Sequence, residues 1–185
     1  MLTDSEKMTL LKLARSTLEA FFADREQPQM DNPSAGLREH CGAFVTLTEQ
    51  GELRGCIGHL RSEQELYLTI QQMAIAAATE DPRFRPVSAA ELALVHIEIS
   101  VLSPMVRVAD VKEIEIGRDG LYIVSGFQSG VLLPQVATEW GWDRDEFLEQ
   151  VCRKAGLPRN AWRAGSTLYR FSAQVFEEQL QAKSA

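Results

Sequence analysis

The residues best suited to chemistry stand together in the stretch Leu53-Arg54-Gly55-Cys56-Ile57-Gly58. A cysteine becomes a nucleophile or a redox centre as the thiolate, and a neighbouring guanidinium such as that of Arg54 favours this form. Glycines inside a strand often mark a bulge, or a place where a ligand or another backbone comes close. We therefore take Arg54, Gly55, Cys56 and Gly58 as candidate site residues. The alternative is that Cys56 is a small buried hydrophobe, which is the usual role of a cysteine on a strand.

This stretch is predicted to form the second arm of a β-hairpin. Residues 42–47 are apolar and β-branched, residues 49–51 are a turn signal, and residues 53–60 form the returning arm. A turn centred on Gln50 and Gly51 places Val45 opposite Cys56. Because side chains alternate along a strand, one set faces the core and the other faces away. The predicted core set is Leu53, Gly55, Ile57 and His59, and the predicted outer set is Arg54, Cys56, Gly58 and Leu60.

The groups that could transfer a proton to or from Cys56 lie on another predicted strand. His59 is not expected to be the base, because in a regular strand it is three residues along, about 10 Å away and on the opposite face. Only a break or a bulge at Gly58 would bring it within reach. A later stretch alternates cleanly, and its polar side is formed by His96, Glu98 and Ser100. We take His96 and Glu98, with Cys56, as candidate catalytic residues and Ser100 as a candidate substrate contact. The same alternation is equally typical of a strand with one solvated face.

The stretch around Cys56 resembles the signature of the AMMECR domain family, whose members in bacteria and archaea are the A component of the AmmeMemoRadiSam system. Further matches follow in order along the chain, at Gly42–Leu47, Asp81–Phe84, Glu98–Leu102, Leu132–Ala137 and Val175–Glu178. The chain is therefore identified as a single AMMECR-like domain over residues 1–185. The resemblance implies that Asp81, Arg83 and Phe84 line the substrate site. The alternative for Arg83 is that it complements the dipole at the C-terminus of the preceding helix.

The predicted fold class is α+β, with antiparallel sheets against which helices pack. The resemblance implies two subdomains built in this way, with a cleft between them that the signature faces. The larger subdomain is expected at about residues 1–103 and 167–185, and the smaller one at about residues 104–166. The smaller subdomain should contain a second hairpin, whose predicted arms are Val111–Ile116 and Leu121–Val124.

Helix starts are predicted by capping boxes, in which Ser, Thr or Asp precedes a Glu by three residues. The pairs are Thr3 with Glu6, Ser62 with Glu65, and Asp143 with Glu146. A closing strand is predicted at Leu168–Phe176. The three tryptophans could belong to the core or to a contact surface, and they are Trp140, Trp142 and Trp162.

The composition argues against several classes of function. The chain of 185 residues carries a formal net charge of −7 and has no run of Lys or Arg, so we expect it to bind neither nucleic acid nor an anionic membrane. There is no apolar run of about 18 residues, so no transmembrane helix is predicted. The N-terminus lacks a secretory signal and the three cysteines are widely spaced, which predicts a cytoplasmic location. There is no Cys-x-x-Cys or His-x-x-x-His pair, and neither a metal nor a cofactor is expected.

Two classes of function are compatible with these residues. In the first, the protein is an enzyme or enzyme component that acts on a protein or another large substrate. Cys56 is then the nucleophile or redox centre, Arg54 favours its thiolate or binds an anionic group, and Arg83 orients the substrate. In the second, the protein is a non-catalytic protein-binding module or adaptor. The resemblance implies a radical-SAM protein and a Memo-like protein as partners, and the sequence slightly favours the first class without identifying a reaction.

Overall fold

The computed structural model describes residues 1–179 and confirms the α+β class. The α-helices are α1 (Asp4–Phe22), α2 (Leu66–Thr79), α3 (Pro134–Glu139) and α4 (Arg144–Lys154). The strands are β1 (Ala43–Glu49), β2 (Glu52–His59), β3 (Val95–Leu102), β4 (Val106–Arg107), β5 (Asp119–Ser125), β6 (Gln128–Leu132) and β7 (Thr167–Glu177). Short 3-10 turns lie at Gly36–Arg38, Val111–Glu113 and Ala161–Arg163.

The chain divides into two compact units. Met1–Leu102 and residues 174–179 form the first unit, and Ser103–Ala173 form the second. β7 confirms the predicted closing strand and contributes residues to both units. Its residues 167–172 pair with β5, which is why this part of the strand belongs to the second unit. The predicted smaller subdomain ends at residue 166 and leaves this part of β7 out.

The sheet of the first unit has β1 in its middle, paired antiparallel with β2 on one side and with β3 on the other. β7 follows β3, so β2 is the end strand. The apolar face packs against α1 and α2, and its buried residues include Ala43, Val45, Leu47, Ile97 and Ile99. We call the opposite side the polar face, and it carries Thr46, Thr48, Cys56, His96 and Glu98.

Of the two helices in the first unit, α1 begins at its predicted capping box and α2 does not. At α1 the Thr3 hydroxyl accepts the N–H of Glu6 at 3.3 Å, and the Glu6 carboxylate accepts the N–H of Thr3 at 2.8 Å, which confirms the prediction. The box predicted from Ser62 and Glu65 is wrong. The Ser62 hydroxyl contacts Gln64 in the preceding turn, and α2 begins after Glu65 without a side-chain cap.

The second hairpin differs from its prediction. Residues 111–113 form a 3-10 turn, and the hairpin is made by β5 and β6. The buried carboxylate of Asp119 accepts the N–H of Glu115 at 2.9 Å, so the segment before β5 folds back on itself and does not pair as a strand. Gly126 supplies the left-handed residue (φ 58°) of the two-residue connection between the arms.

The tryptophans of the second unit divide between core and surface. α4 begins at the predicted capping box of Asp143 and Glu146 and packs onto β5 and β6. Trp142 and Trp162 pack against the core that these elements form. Trp140 is 70% exposed and stacks on Trp142, with 5.9 Å between the ring centroids.

Candidate functional site

Cys56 lies in a row of three side chains on the polar face. Thr46 on β1 pairs with Cys56 on β2 and with Glu98 on β3, so the three lie side by side across the sheet. The Thr46 hydroxyl donates a hydrogen bond to the Cys56 sulfur at 3.2 Å. Because neighbouring strands are about 4.8 Å apart, the Cα atoms of Cys56 and Glu98 are about 10 Å apart. Thr46 is therefore the group beside the sulfur, and Glu98 lies one strand farther away.

A β-bulge at Arg54 shifts the hairpin register from the predicted one. The residues on either side of Arg54 pair with adjacent residues of β1, which leaves Arg54 as the extra residue. The prediction that Val45 lies opposite Cys56 is wrong, since Thr46 is in that position. Leu53 was also predicted to face the core, but beyond the bulge it is 40% exposed. The predicted alternation holds at Gly55, which is buried, and at Ile57, which packs against the core, but His59 at the end of the strand is exposed.

Arg54 anchors a neighbouring loop. Its Nε and Nη2 each donate to Glu91 Oε1 at 3.2 Å, and its Nη1 donates to the carbonyl oxygen of Arg85 at 2.9 Å. Glu91 also accepts the hydroxyl of Ser88 at 2.7 Å, which ties both ends of the loop together. Only 11% of the Arg54 side chain is exposed. These contacts commit the Arg54 guanidinium to residues 85–91 and not to a ligand at Cys56.

Asp81 and Arg83 form the charged part of the site. The backbone N–H of Cys56 donates to Asp81 Oδ2 at 2.8 Å. Arg83 donates from Nε to Oδ1 at 2.9 Å and from Nη2 to Oδ2 at 2.7 Å, which is the bidentate geometry of a strong ion pair. The Asp81 side chain is 3% exposed and the Arg83 side chain is 55% exposed. We call Thr46, Cys56, Asp81 and Arg83 the Cys56 cluster.

The chain reaches this geometry because α2 ends just before Asp81. Pro82 cannot continue the helix, and Asp followed by Pro is a common start for a tight turn. The N–H of Phe84 donates to the carbonyl oxygen of Asp81 at 3.1 Å and closes that turn. The turn brings Arg83 back onto the Asp81 carboxylate and places its guanidinium 5.4 Å from the Phe84 ring centroid.

The electrostatics of the cluster favour an ionised Asp81. The Arg83 guanidinium is the largest cause, with a smaller contribution from the Cys56 N–H, and together they hold the pKa of the Asp81 carboxyl well below its usual range despite burial. Asp81 in turn raises the pKa of Arg83 through the same pair of hydrogen bonds. The sequence predicts Arg54 as the cation that acts on Cys56. In the structure, the cation joined to Cys56 is Arg83, because both residues donate hydrogen bonds to Asp81.

Packing accounts for both glycines that flank Cys56. A Cβ atom at Gly55 would lie 2.1 Å from the carbonyl oxygen of Ala77, so α2 can approach β2 only at a glycine. A Cβ atom at Gly58 would lie 2.4 Å from the ring of Phe44. The neighbours that require glycine here are thus the backbone of α2, the ring of Phe44 and the backbone of β1 at Ala43, all in the same unit.

Three other candidates, His96, Ser100 and Phe84, have identified neighbours other than the Cys56 sulfur. His96 Nε2 is 3.2 Å from Glu177 Oε2, so its imidazole is directed to β7. Ser100 is 2% exposed and pairs with Phe44, two residues along each strand from the Cys56 row. Phe84 stacks with Arg83, as described above. Sequence reasoning missed Thr46 and Phe44, because their positions depend on a register that the bulge at Arg54 sets.

Two features are absent from the part of the chain that the structure describes. Within residues 1–179, no group of three or more His, Cys, Asp and Glu side chains is arranged to hold a metal ion. In the same residues, no helix has both the length and the apolar character that crossing a membrane requires.

The chain was compared with known proteins. The model of the AMMECR1 family matches residues 11–176, which include the whole Cys56 cluster. The chain belongs to the AMMECR1 family. A relative in Methanosarcina barkeri is 42% identical over 187 residues, which span 96% of this chain and 93% of that protein. One in Thermococcus kodakarensis is 44% identical over 183 residues, which span 92% of this chain and 89% of that protein.

A solved structure shares the fold of this AMMECR1 protein. It is the crystal structure of a protein from Pyrococcus horikoshii that is described as uncharacterised. The TM-score is 0.87 at 37% sequence identity, and the match covers 96% of this chain and 94% of that one. The fold is therefore that of the AMMECR1 family, and the Cys56 cluster is its candidate functional site.

Proposed function

We propose that this AMMECR1 protein is a non-catalytic binding component of an AmmeMemoRadiSam system, whose partners are a radical-SAM protein and a Memo-like protein. The surroundings of the Cys56 sulfur carry the proposal. A cysteine nucleophile works with a base that lies within hydrogen-bond reach and can accept the thiol proton. This sulfur accepts a hydrogen bond from the hydroxyl of Thr46, and a hydroxyl is not such a base.

The nearby carboxylate is poorly suited to remove the proton. Both oxygens of Asp81 accept hydrogen bonds, from the Cys56 N–H and from Arg83. A carboxyl with a strongly lowered pKa is a weak base, so Asp81 gives little driving force for proton transfer. His96 is directed to Glu177. The cluster is thus built as a fixed surface, in which Asp81 holds both the strand backbone and an exposed guanidinium in place.

A second candidate function is cysteine chemistry on a protein or another large substrate. One specific observation favours it, because the Thr46 hydroxyl donates a hydrogen bond directly to the Cys56 sulfur, the atom that would carry the chemistry. Under this alternative, the substrate or a partner would supply the base. We propose a cytoplasmic location in either case, since the cysteines are free thiols and a reducing compartment preserves them.

A binding measurement tests the proposal. The protein is titrated by calorimetry with the radical-SAM protein and with the Memo-like protein of the same organism. We expect Cys56→Ser to bind each partner within about threefold of the wild-type affinity, since the side chain keeps its size and its contact with Thr46. Cys152→Ser, at a buried cysteine of the second unit, is the matched control. Absence of wild-type binding to both partners would contradict the proposal.

A further inference from the structure

We infer that Arg83 binds an oxyanion, a carboxylate or phosphate group carried by a partner protein, through the Nη1–Nη2 edge of its guanidinium. The inference rests on the proposed function, because it names the chemistry that the binding surface recognises. Asp81 occupies the Nε–Nη2 edge. The other donors of the fork, on Nη1 and Nη2, make no hydrogen bond to the residues that the structure describes. Two parallel N–H donors match two oxygens of a carboxylate or phosphate.

The guanidinium is already held in a binding conformation. Asp81 fixes one edge of the group, and the Phe84 ring lies beneath it at 5.4 Å. The Arg83 side chain is nevertheless 55% exposed, so an incoming group can reach it. A side chain that is ordered before binding loses little conformational entropy when the ligand arrives. This arrangement is that of an anion receptor more than of a buried structural ion pair.

The ion pairs near Arg83 contain more cations than anions, although the chain as a whole is acidic. Arg54 and Arg85 share the carboxylate of Glu91, and Arg83 pairs with Asp81, so these pairs contain three guanidinium groups and two carboxylates. The formal net charge of the whole chain is −7. Arg85 is the second accessible cation, because its side chain is 84% exposed and its contact with Glu91 is long, at 3.8 Å. A cationic site on an acidic protein attracts an anionic group of the partner, whereas the surrounding acidic surface repels it.

Nuclear magnetic resonance titration of the full chain tests the inference without any partner protein. The probes are inorganic phosphate, an amidated hexaglutamate peptide, and a peptide in which a single phosphoserine is the only charged side chain. We expect saturable shifts of the Arg83 Nε–H signal and of the Cys56 amide signal. Arg83→Gln should weaken binding about tenfold, because it removes one or two charge-assisted hydrogen bonds to the probe. Arg25→Gln, an exposed arginine of the same unit, should leave the affinity unchanged.

The two peptides identify the source of the oxyanion. Tighter binding of hexaglutamate supports an acidic partner segment, and tighter binding of the phosphopeptide supports a phosphorylated one. The inference is overturned if none of the probes shifts both signals in the wild-type protein, or if Arg83→Gln binds within twofold of wild type. The wild-type titration stands even if the variant does not fold. A protein that binds phosphate at Arg83 but binds neither partner would contradict the proposed function alone.

Discussion

The carboxylate of Asp81 accepts the backbone N–H of Cys56 at 2.8 Å, so a residue that follows α2 completes the hydrogen bonding of the end strand β2. Cys56 pairs side by side with Thr46, and its N–H points away from β1. An N–H on a free sheet edge can pair with a foreign strand, and here the Asp81 side chain closes that position. The same carboxylate holds Arg83. One buried side chain thus fixes the strand edge, the turn after α2 and the exposed cation.

Replacement of Asp81 should destabilise the fold, and the loss of stability should be larger for the variant that keeps fewer of the Asp81 hydrogen bonds. Asp81→Ala leaves the N–H of Cys56 without its acceptor and should lower the free energy of unfolding by about 2–3 kcal/mol. Asp81→Asn keeps an acceptor oxygen and should cost about 1 kcal/mol. Urea denaturation measures both values. Asp4→Ala is the control, because the Asp4 carboxylate is 94% exposed and its ion pair contributes little. Equal losses for the two Asp81 variants would contradict this role.

Acid should destabilise the wild-type protein through the same carboxylate. The pKa of Asp81 is lower in the folded protein than its unfolded value near 3.8, so ionised Asp81 contributes stability above that pH. This contribution is lost as the pH falls below 3.8 toward the folded pKa. We expect the melting temperature of Asp81→Asn to fall less steeply than that of wild type between about pH 4 and pH 2. Parallel curves for the two proteins would show that Asp81 is not a source of the acid sensitivity.

Arg54 should prove to be a structural residue. Arg54→Met removes the hydrogen bonds to Glu91 and to the carbonyl oxygen of Arg85, and should lower the free energy of unfolding by about 2 kcal/mol. Amide exchange should accelerate at Val87, whose N–H donates to Ala78. The matched control is Arg85→Met, since Arg85 faces the same Glu91 at 3.8 Å but is 84% exposed. That variant should change stability by less than about 0.5 kcal/mol. A larger effect at Arg85 than at Arg54 would refute this assignment.

The sequence predicts the strands of the first unit well, but not the register of its hairpin. Alternation identifies the buried face of β1 and β3, because burial on one side of a sheet imposes a period of two. The glycines of the stretch indicate either a bulge or a close approach, but they do not place a bulge at Arg54. The bulge is stabilised by Glu91, 37 residues away, and this contact exists only once the loop is in place. Thr46 was missed for that reason.

The position of Asp81 beside Cys56 was beyond the reach of sequence patterns as well. The two residues are 25 positions apart, and their contact depends on where α2 lies against β2. That packing depends on Gly55, because a side chain at this position would collide with the carbonyl oxygen of Ala77. The glycine was recognised as a point of close approach, but its neighbour could not be named. The resemblance implied that Asp81 and Arg83 line the site, whereas the hydrogen bonds that join them to Cys56 come from the structure.

The most direct test of the central claim is intact-mass spectrometry of this protein after incubation with its radical-SAM and Memo-like partners under turnover conditions. The proposal that the protein is a non-catalytic binding component predicts an unchanged mass for the wild-type chain. It also predicts the same partner masses whether wild type or Cys56→Ser is present. A covalent adduct that maps to Cys56 would contradict it, as would a partner modification that wild type supports and Cys56→Ser abolishes. Either result would establish cysteine chemistry as the function of the cluster.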